Sequence, residues 1–244
     1  MESGLNNLKN LFWALPVEIR YYLYKNLKPK NFRERQALRK RDIKGEFASL
    51  KGFDDLKCIF VHIPKAGGVS INKALFGNLG GTHFSIKQYS LIFSPEEFKA
   101  YFKFTFVRNP WDRLVSAYTF LKSGGLHQVD RKWAEENISQ FTNFEEFVLK
   151  WVNKENIYSF THFIPQFEFI TVNNKIAVDE IYRFENFNED FNRLTKVLGV
   201  ENKLKHLNKS KKRAKDYRVY YTDKTKVIIE KVYEEDIKIL NYEF

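Results

Sequence analysis

The sequence has little cysteine, no long apolar run and no cluster of metal-ligand residues. A single cysteine, Cys58, excludes an intrachain disulfide, and its place in a predicted strand indicates a small buried apolar side chain. No apolar run approaches the ~20 residues of a membrane span, and the first residues do not resemble a signal peptide. No Cys or His pattern has zinc spacing, so we expect no metal. These absences predict a cytoplasmic protein without a transmembrane segment.

The 244 residues are 43% hydrophobic and 17% aromatic, which predicts one ordered α/β domain and not a disordered chain. The formal net charge of +11 is unevenly distributed. Residues 28–44 contain 8 Lys and Arg against 2 acidic residues, and residues 203–218 contain 8 against 1. For residues 28–44 we favour a solvated helix. For residues 203–218 a solvated surface and a contact with a ligand are equal alternatives. A module that binds nucleic acid or another polyanion remains an alternative function.

The most informative stretch is a strand that runs into a turn of lysine and glycine. Residues 58–63 are apolar except for His62, and Lys65, Gly67 and Gly68 follow. Apolar residues at 71, 74 and 75 then have the spacing of a helix that packs back on the strand. Glycine permits close approach of a ligand to the backbone, and a helix N-terminus attracts anions. The turn therefore predicts an anion site. In an ATP or GTP loop the lysine follows the glycines, so a nucleotide kinase or NTPase is a disfavoured alternative.

A second stretch repeats this architecture. Residues 104–107 form a short apolar strand, followed by Arg108, by Asn109 as helix N-cap and by Pro110 at the first helical position. The apolar residues of the helix share one face, so Arg113 and Ser116 are predicted to lie away from it. Two basic turns at strand ends should bind one ligand.

Residues 63–70 (IPKAGGVS) and 107–118 (VRNPWDRLVSAY) together resemble the carbohydrate sulfotransferase family, whose donor is 3′-phosphoadenosine 5′-phosphosulfate (PAPS). The similarity continues at residues 162–166, 178–187 and 206–210. It implies an α/β fold with a P-loop-NTPase-like central parallel sheet flanked by helices. We expect residues 1–56 to form an N-terminal helical, basic arm and residues 57–244 the sulfotransferase domain.

The resemblance also implies which residues bind PAPS. At residue 69 the family more often has threonine than valine, but the backbone N–H that would face the donor is kept. Residues of the first motif would hold the 5′-phosphosulfate, those of the second the 3′-phosphate, and three in the second basic segment would close over the nucleotide. In that order they are Pro64, Lys65, Ala66, Gly67, Gly68, Val69 and Ser70; Arg108 and Ser116; and Lys209, Ser210 and Arg213.

Transfer to a hydroxyl needs a base near neutral pH, which suits histidine. Several family members have a catalytic histidine between the two motifs, and His83 is the only histidine in that interval, with His162 as the alternative. Lys65 would neutralise the leaving phosphate. His62 fits a hydrogen-bonded core position, and Glu185 a structural carboxylate or a support of the site. The predicted activity is sulfuryl transfer to a hydroxyl of a neutral or acidic carbohydrate (a glycan, polysaccharide or glycolipid), in a bacterial or viral protein; oligomeric state is not predicted.

Three local patterns make further structural predictions. The pair Asn173 and Asn174 predicts a two-residue hairpin loop between residues 169–172 and 175–178. Residues 142–145 can form a capping box before an apolar helix. Apolar residues from Ile229 to Leu240 share one face, which predicts a single last helix that packs on the sheet.

Overall fold

The central sheet has three parallel strands in the order β1 (Cys58–Val61), β2 (Phe102–Val107) and β5 (Glu180–Arg183). The structure is a computed structural model that describes residues 11–201, 204 and 216–244. β2 is the middle strand, with Phe104 opposite Phe60 on one side and Phe106 opposite Tyr182 on the other. Helices flank the sheet, which confirms the predicted α/β class. A separate antiparallel hairpin contains β3 (Thr171–Val172) and β4 (Lys175–Ile176).

The helices connect the strands in chain order. Those before β1 are α1 (Val17–Leu27), α2 (Pro29–Lys40) and α3 (Lys51–Leu56), and those between β1 and β2 are α4 (Gly68–Phe76), α5 (Ile86–Tyr89) and α6 (Pro95–Ala100). Between β2 and β3 lie α7 (Pro110–Lys122), α8 (Gln128–Asn137), α9 (Phe144–Lys150) and α10 (Gln166–Ile170). After β5 come α11 (Phe187–Leu198), α12 (Asp223–Val232) and α13 (Glu234–Leu240). Short 3₁₀ turns occupy Asn156–Tyr158, Phe184–Asn186 and Tyr217–Tyr220.

Apolar side chains form two clusters. The first surrounds the sheet and includes Phe60, Phe104 and Phe106. The second is built from α7, α9, α12 and the loop before α10, with Trp111 and Phe147 among its buried aromatics. Because α7 starts at the end of β2 and runs through the second cluster, it connects the sheet to the remaining helices.

Two of the three local predictions need correction. Asn173 and Asn174 have φ of 51° and 59° and join β3 to β4, as predicted, although the residues just before β3 belong to α10. The cap of α9 is Asn143, whose side chain accepts the N–H of Glu146, one residue later than predicted. The predicted last helix breaks at Tyr233 into α12 and α13, so that Ile229 packs in the second cluster and Leu240 on the sheet.

Arg39 binds the N-terminal arm to the domain, although the sequence predicts a solvated helix for its segment. Arg39 donates to Asp54 (2.6 and 3.0 Å) and to Glu97 (2.8 and 2.9 Å), and only 13% of its side chain is exposed. Leu38 packs on the sheet cluster. The prediction that this helix is simply solvated is therefore wrong for Arg39. The boundary between residues 56 and 57 stays a prediction; α3 lies before it and contributes the buried Phe53 to the sheet core.

Along the residues that the structure describes, no helix has the length and apolar composition needed to cross a membrane.

Candidate active site

The turn after β1 is built around close contact between backbone and side chains. Lys65 and Gly67 have φ of 69° and 84°, the left-handed region that a lysine adopts only when its surroundings hold it there. α4 then begins at Gly68. A Cβ at Gly68 would lie 1.8 Å from Cδ2 of His62, so only glycine fits this position. The first backbone N–H groups of α4 therefore lie directly after a turn that carries a lysine.

Lys65 faces the side of α7. Its Nζ lies 3.8 Å from the centroid of the Phe120 ring, a cation–π contact. Residues four apart on a helix lie on one face, so Asp112, Ser116 and Phe120 form one row along α7. Ser116 thus lies between the residue that binds Arg108 and the ring that binds Lys65.

Arg108 joins the two basic turns. Its Nη1 donates to the carbonyl oxygen of Lys65 (3.0 Å), its Nε donates to Asp112 (2.7 Å), and its guanidinium carbon lies 4.1 Å from the centroid of the Phe184 ring. The buried amide of Gln166 holds the backbone of Arg108 on both sides, accepting its N–H at 2.9 Å and donating to its C=O at 2.8 Å. The ends of β1, β2 and β5 are thereby tied together at one edge of the sheet.

Two charged residues near the start of α7, Glu185 and Arg113, have structural roles. Glu185, after β5, accepts the N–H of Asn109 (2.6 Å) and the hydroxyl of Tyr242 (3.0 Å), which supports its interpretation as a structural carboxylate. Arg113 was predicted to point away from the apolar face, but it is only 2% exposed. It donates to the carbonyl oxygens of His162 (3.2 Å) and Ile164 (2.8 Å). The prediction fails because α7 is enclosed on nearly every side, so that a charged residue is covered together with apolar ones.

Three histidines from distant parts of the chain meet beside Lys65. The rings of His62 and His83 are 4.4 Å apart, and those of His83 and His162 are 5.8 Å apart. Nδ1 of His83 lies 3.1 Å from the carbonyl oxygen of His62. Burial lowers the pKa of all three imidazoles, that of His83 to about 4. His62 is the buried, hydrogen-bonded residue predicted, with Nδ1 at 3.4 Å from the Asn72 amide.

With this geometry in view, comparison with known proteins identifies the family. The sequence profile of the sulfotransferase family matches residues 51–243. The chain belongs to the sulfotransferase family. An uncharacterized protein of Archaeoglobus fulgidus is 35% identical over 108 residues, which are 44% of this chain and 75% of that relative. No solved structure matches significantly. Membership supports a transferase that moves a sulfuryl group.

The structure of this sulfotransferase brings together most of the predicted site residues it describes. Arg108 binds the Lys65 carbonyl, Lys65 and His162 both contact the Phe120 ring, and His83 lies beside His162. Ser116 lies on the row of α7 between Asp112 and Phe120. Pro64, Ala66 and Gly68 are buried in the turn, while Val69 and Ser70 are half-buried in the first turn of α4. Lys209, Ser210 and Arg213 lie outside the described residues. Within the described part of the chain, no group of three or more His, Cys, Asp or Glu side chains is arranged to hold a metal ion.

One residue of this sulfotransferase site escaped the sequence analysis. Asp130, in the first turn of α8, has Oδ1 3.4 Å from Nε2 of His162 and accepts the N–H groups of Leu126 and His127 with Oδ2. Burial would raise the pKa of Asp130, but the hydrogen bonds from His162 and from the two backbone groups lower it overall. In the sequence, Asp130 is only an acidic residue near the start of a helix. Helix capping alone accounts for such a residue, so nothing points to His162.

Proposed function

We propose that this chain transfers the sulfuryl group of PAPS to a hydroxyl of a carbohydrate. The observation that carries the proposal is the contact between Arg108 and the carbonyl of Lys65, which joins two basic turns at the carboxyl ends of neighbouring parallel strands. In open α/β sheets, ligands bind at this edge. Family membership adds support, since sulfotransferases of this kind generally use PAPS. One donor that is anionic at both ends would bind across the two turns.

The residues around the turn after β1 fit the 5′-phosphosulfate. The first N–H groups of α4 and the charge of Lys65 attract an anion, in the manner of a P-loop although with the lysine before the glycines. A Cβ at Gly68 would clash with the His62 ring, so the first turn of α4 packs directly against that ring and is fixed in position. We assign this part of the site to Pro64, Lys65, Ala66, Gly67, Gly68, Val69 and Ser70.

The 3′-phosphate would bind at Arg108 and Ser116. Asp112 and the Lys65 carbonyl hold the Arg108 guanidinium at a fixed position, and Ser116 presents a hydroxyl one turn further along the same row of α7. Charge-assisted hydrogen bonds from arginine to phosphate are among the strongest in proteins. This pair therefore supplies the discrimination between PAPS and a nucleotide that lacks the 3′-phosphate.

When bound, PAPS supplies the sulfuryl group and leaves as the 3′,5′-bisphosphate. Lys65 lies where it can move from the Phe120 ring to neutralise the charge that develops on the leaving phosphate. The acceptor side is formed by His83 and His162, and either imidazole can take the hydroxyl proton. Aromatic rings near His162, those of Phe120 and Phe160 at 5.2 and 5.3 Å, offer flat apolar surface to a sugar ring.

The cofactor assignment is tested by calorimetry with adenosine 3′,5′-bisphosphate and with AMP. We expect the bisphosphate to bind far more tightly, and Arg108→Ala to remove most of the difference at a cost of about 2–3 kcal/mol. Equal affinity for the two nucleotides would overturn the assignment. Mass spectrometry of a glycan panel incubated with the protein and PAPS then tests whether the acceptor is a carbohydrate and which position is modified.

A further inference from the structure

The Asp130 carboxylate has two separate partners. Oδ2 accepts the backbone N–H groups of Leu126 (3.0 Å) and His127 (3.1 Å), which ties the loop after α7 to the start of α8. Oδ1 lies 3.4 Å from Nε2 of His162. Asp130 and His162 are 7% and 9% exposed, so their contact is shielded from water. Loop geometry accounts for only one oxygen, and the other faces an imidazole of the acceptor side.

This contact determines which nitrogen of His162 carries the proton. An ionised carboxylate only accepts hydrogen bonds, so Nε2 carries the hydrogen and Nδ1 keeps its lone pair. Nδ1 is buried and has no hydrogen-bond partner among the described residues. An unsatisfied buried acceptor destabilises the fold, and a donating hydroxyl would recover that loss. The lone pair of Nδ1 is thus prepared for a donor that a ligand brings.

His83 has a different kind of partner. Its Nδ1 lies 3.1 Å from the main-chain oxygen of His62, and this neutral group offers no charge to balance an imidazolium. Burial lowers the pKa of both imidazoles, and the charge of Asp130 opposes this for both, but only for His162 is a direct hydrogen bond from the ring to the Asp130 carboxylate added to that charge. A general base is most effective with a pKa near the working pH. These differences favour His162 over His83.

Resting on the proposed function, we propose that His162 is the catalytic base of sulfuryl transfer and that Asp130 is its positioning residue. The acceptor oxygen forms a bond to sulfur while the bond from sulfur to the 5′-phosphate oxygen breaks, and its electron pair stays on that phosphate beside Lys65. The hydroxyl proton passes to Nδ1 of His162, and Asp130 balances the imidazolium. The acceptor would lie among the rings around His162, such as those of Phe120 and His83, which surround the covered Nδ1.

The variant Asp130→Asn tests the positioning without removing the loop contacts. The amide oxygen can still accept the N–H groups of Leu126 and His127, while the amide NH₂ then faces Nε2 of His162. We expect the imidazole to change tautomer, so that Nδ1 carries the hydrogen and can no longer accept a proton. Long-range ¹H–¹⁵N NMR of the full chain, with histidine signals assigned by His62→Gln, His83→Gln and His162→Gln, reports the tautomer directly. Asp55→Asn, at an exposed position on α3, is the matched control and should change no histidine signal.

Turnover provides the second readout, with ³⁵S-labelled PAPS and a mixed panel of neutral and acidic oligosaccharides. Asp130→Asn and His162→Gln should each lower kcat by about 10²–10⁴-fold with little change in affinity for adenosine 3′,5′-bisphosphate, and the acid limb of the pH profile should follow the pKa of His162. A wild-type His162 protonated on Nδ1, or an unchanged tautomer in Asp130→Asn, would overturn the positioning role. A loss of turnover in His83→Gln but not in His162→Gln would overturn the assignment of the base. If the wild type neither binds the bisphosphate nor transfers label, the proposed function fails, and the tautomer still decides the role of Asp130.

Discussion

The substitution Gly68→Ala makes the most quantitative use of the structure. A Cβ at this position would lie 1.8, 2.2 and 2.6 Å from Cδ2, Nε2 and Cγ of His62. The His62 ring is 7% exposed, stacks on Phe60 at 5.8 Å and contacts the Asn72 amide, so it cannot turn into solvent. Either this ring or the first turn of α4 has to move.

The expected cost follows from packing. Extra atoms in a well-packed core usually lower the free energy of unfolding by about 1–3 kcal/mol. Because Phe60 and Asn72 hold the His62 ring in place, we expect a loss near the upper end, at ~3 kcal/mol. For a chain of this size each kcal/mol lowers the midpoint of thermal unfolding by about 2–4 °C, so we expect a decrease of roughly 6–12 °C. Displacement of the first turn of α4 should also weaken binding of adenosine 3′,5′-bisphosphate.

The assay is a double-mutant cycle. Urea and thermal unfolding are measured for the wild type, Gly68→Ala, His62→Ala and the double variant. His62→Ala removes the ring but keeps the carbonyl oxygen that lies near His83, so Gly68→Ala should cost at least ~1 kcal/mol less in this background than in the wild type. Gly199→Ala is the control, because Gly199 has φ of 64° and no atom within 4 Å of an added Cβ. It should cost about 1 kcal/mol through backbone strain alone. Wild-type stability of Gly68→Ala, or an additive cycle, would refute the argument.

Three further outcomes are expected. Lys65→Ala should abolish transfer of label from ³⁵S-PAPS while the circular dichroism spectrum stays that of the wild type, since the Lys65 charge acts on the leaving phosphate. Arg39→Ala should lower the free energy of unfolding by about 2 kcal/mol in urea, through loss of the Asp54 and Glu97 pairs, whereas the exposed neighbour in Lys40→Ala should cost almost nothing. Between pH 6.5 and about 4 the unfolded chain binds a proton at His83 that the folded chain does not, so the thermal midpoint should fall as pH decreases through this window, and less steeply in His83→Gln.

The features predicted correctly from the sequence are those with local causes. An apolar strand followed by a turn and a helix is specified within about twenty residues, and both such units appear, at Gly68 and at Asn109. The same holds for the Asn173–Asn174 turn. Each of these positions has a backbone requirement that one or two residue types satisfy best.

The features missed depend on neighbours that are far away in the chain. Periodicity assigned Arg113 to an outer face of α7, but the loop at His162 covers that face and supplies two carbonyl acceptors for its guanidinium. Capping explains one oxygen of Asp130, and its second partner lies more than thirty residues later. A pattern in one segment contains no information about which other segment will cover it.

The same helix supports both halves of the proposed reaction. Arg108 and Asn109 precede the first turn of α7 at the end of β2, where the 3′-phosphate would bind. About three turns along, Phe120 contacts Lys65 on the donor side, while Arg113, in the first turn, holds the loop of His162 on the acceptor side. Because interior packing leaves little room for adjustment, a shift of α7 would displace Lys65 and His162 together. Buried charges are costly unless they are paired. Here Asp112 pairs with Arg108, which also binds the Lys65 carbonyl, and Arg113 binds the Ile164 carbonyl, so these charges hold the donor-side turn and the acceptor-side loop against α7.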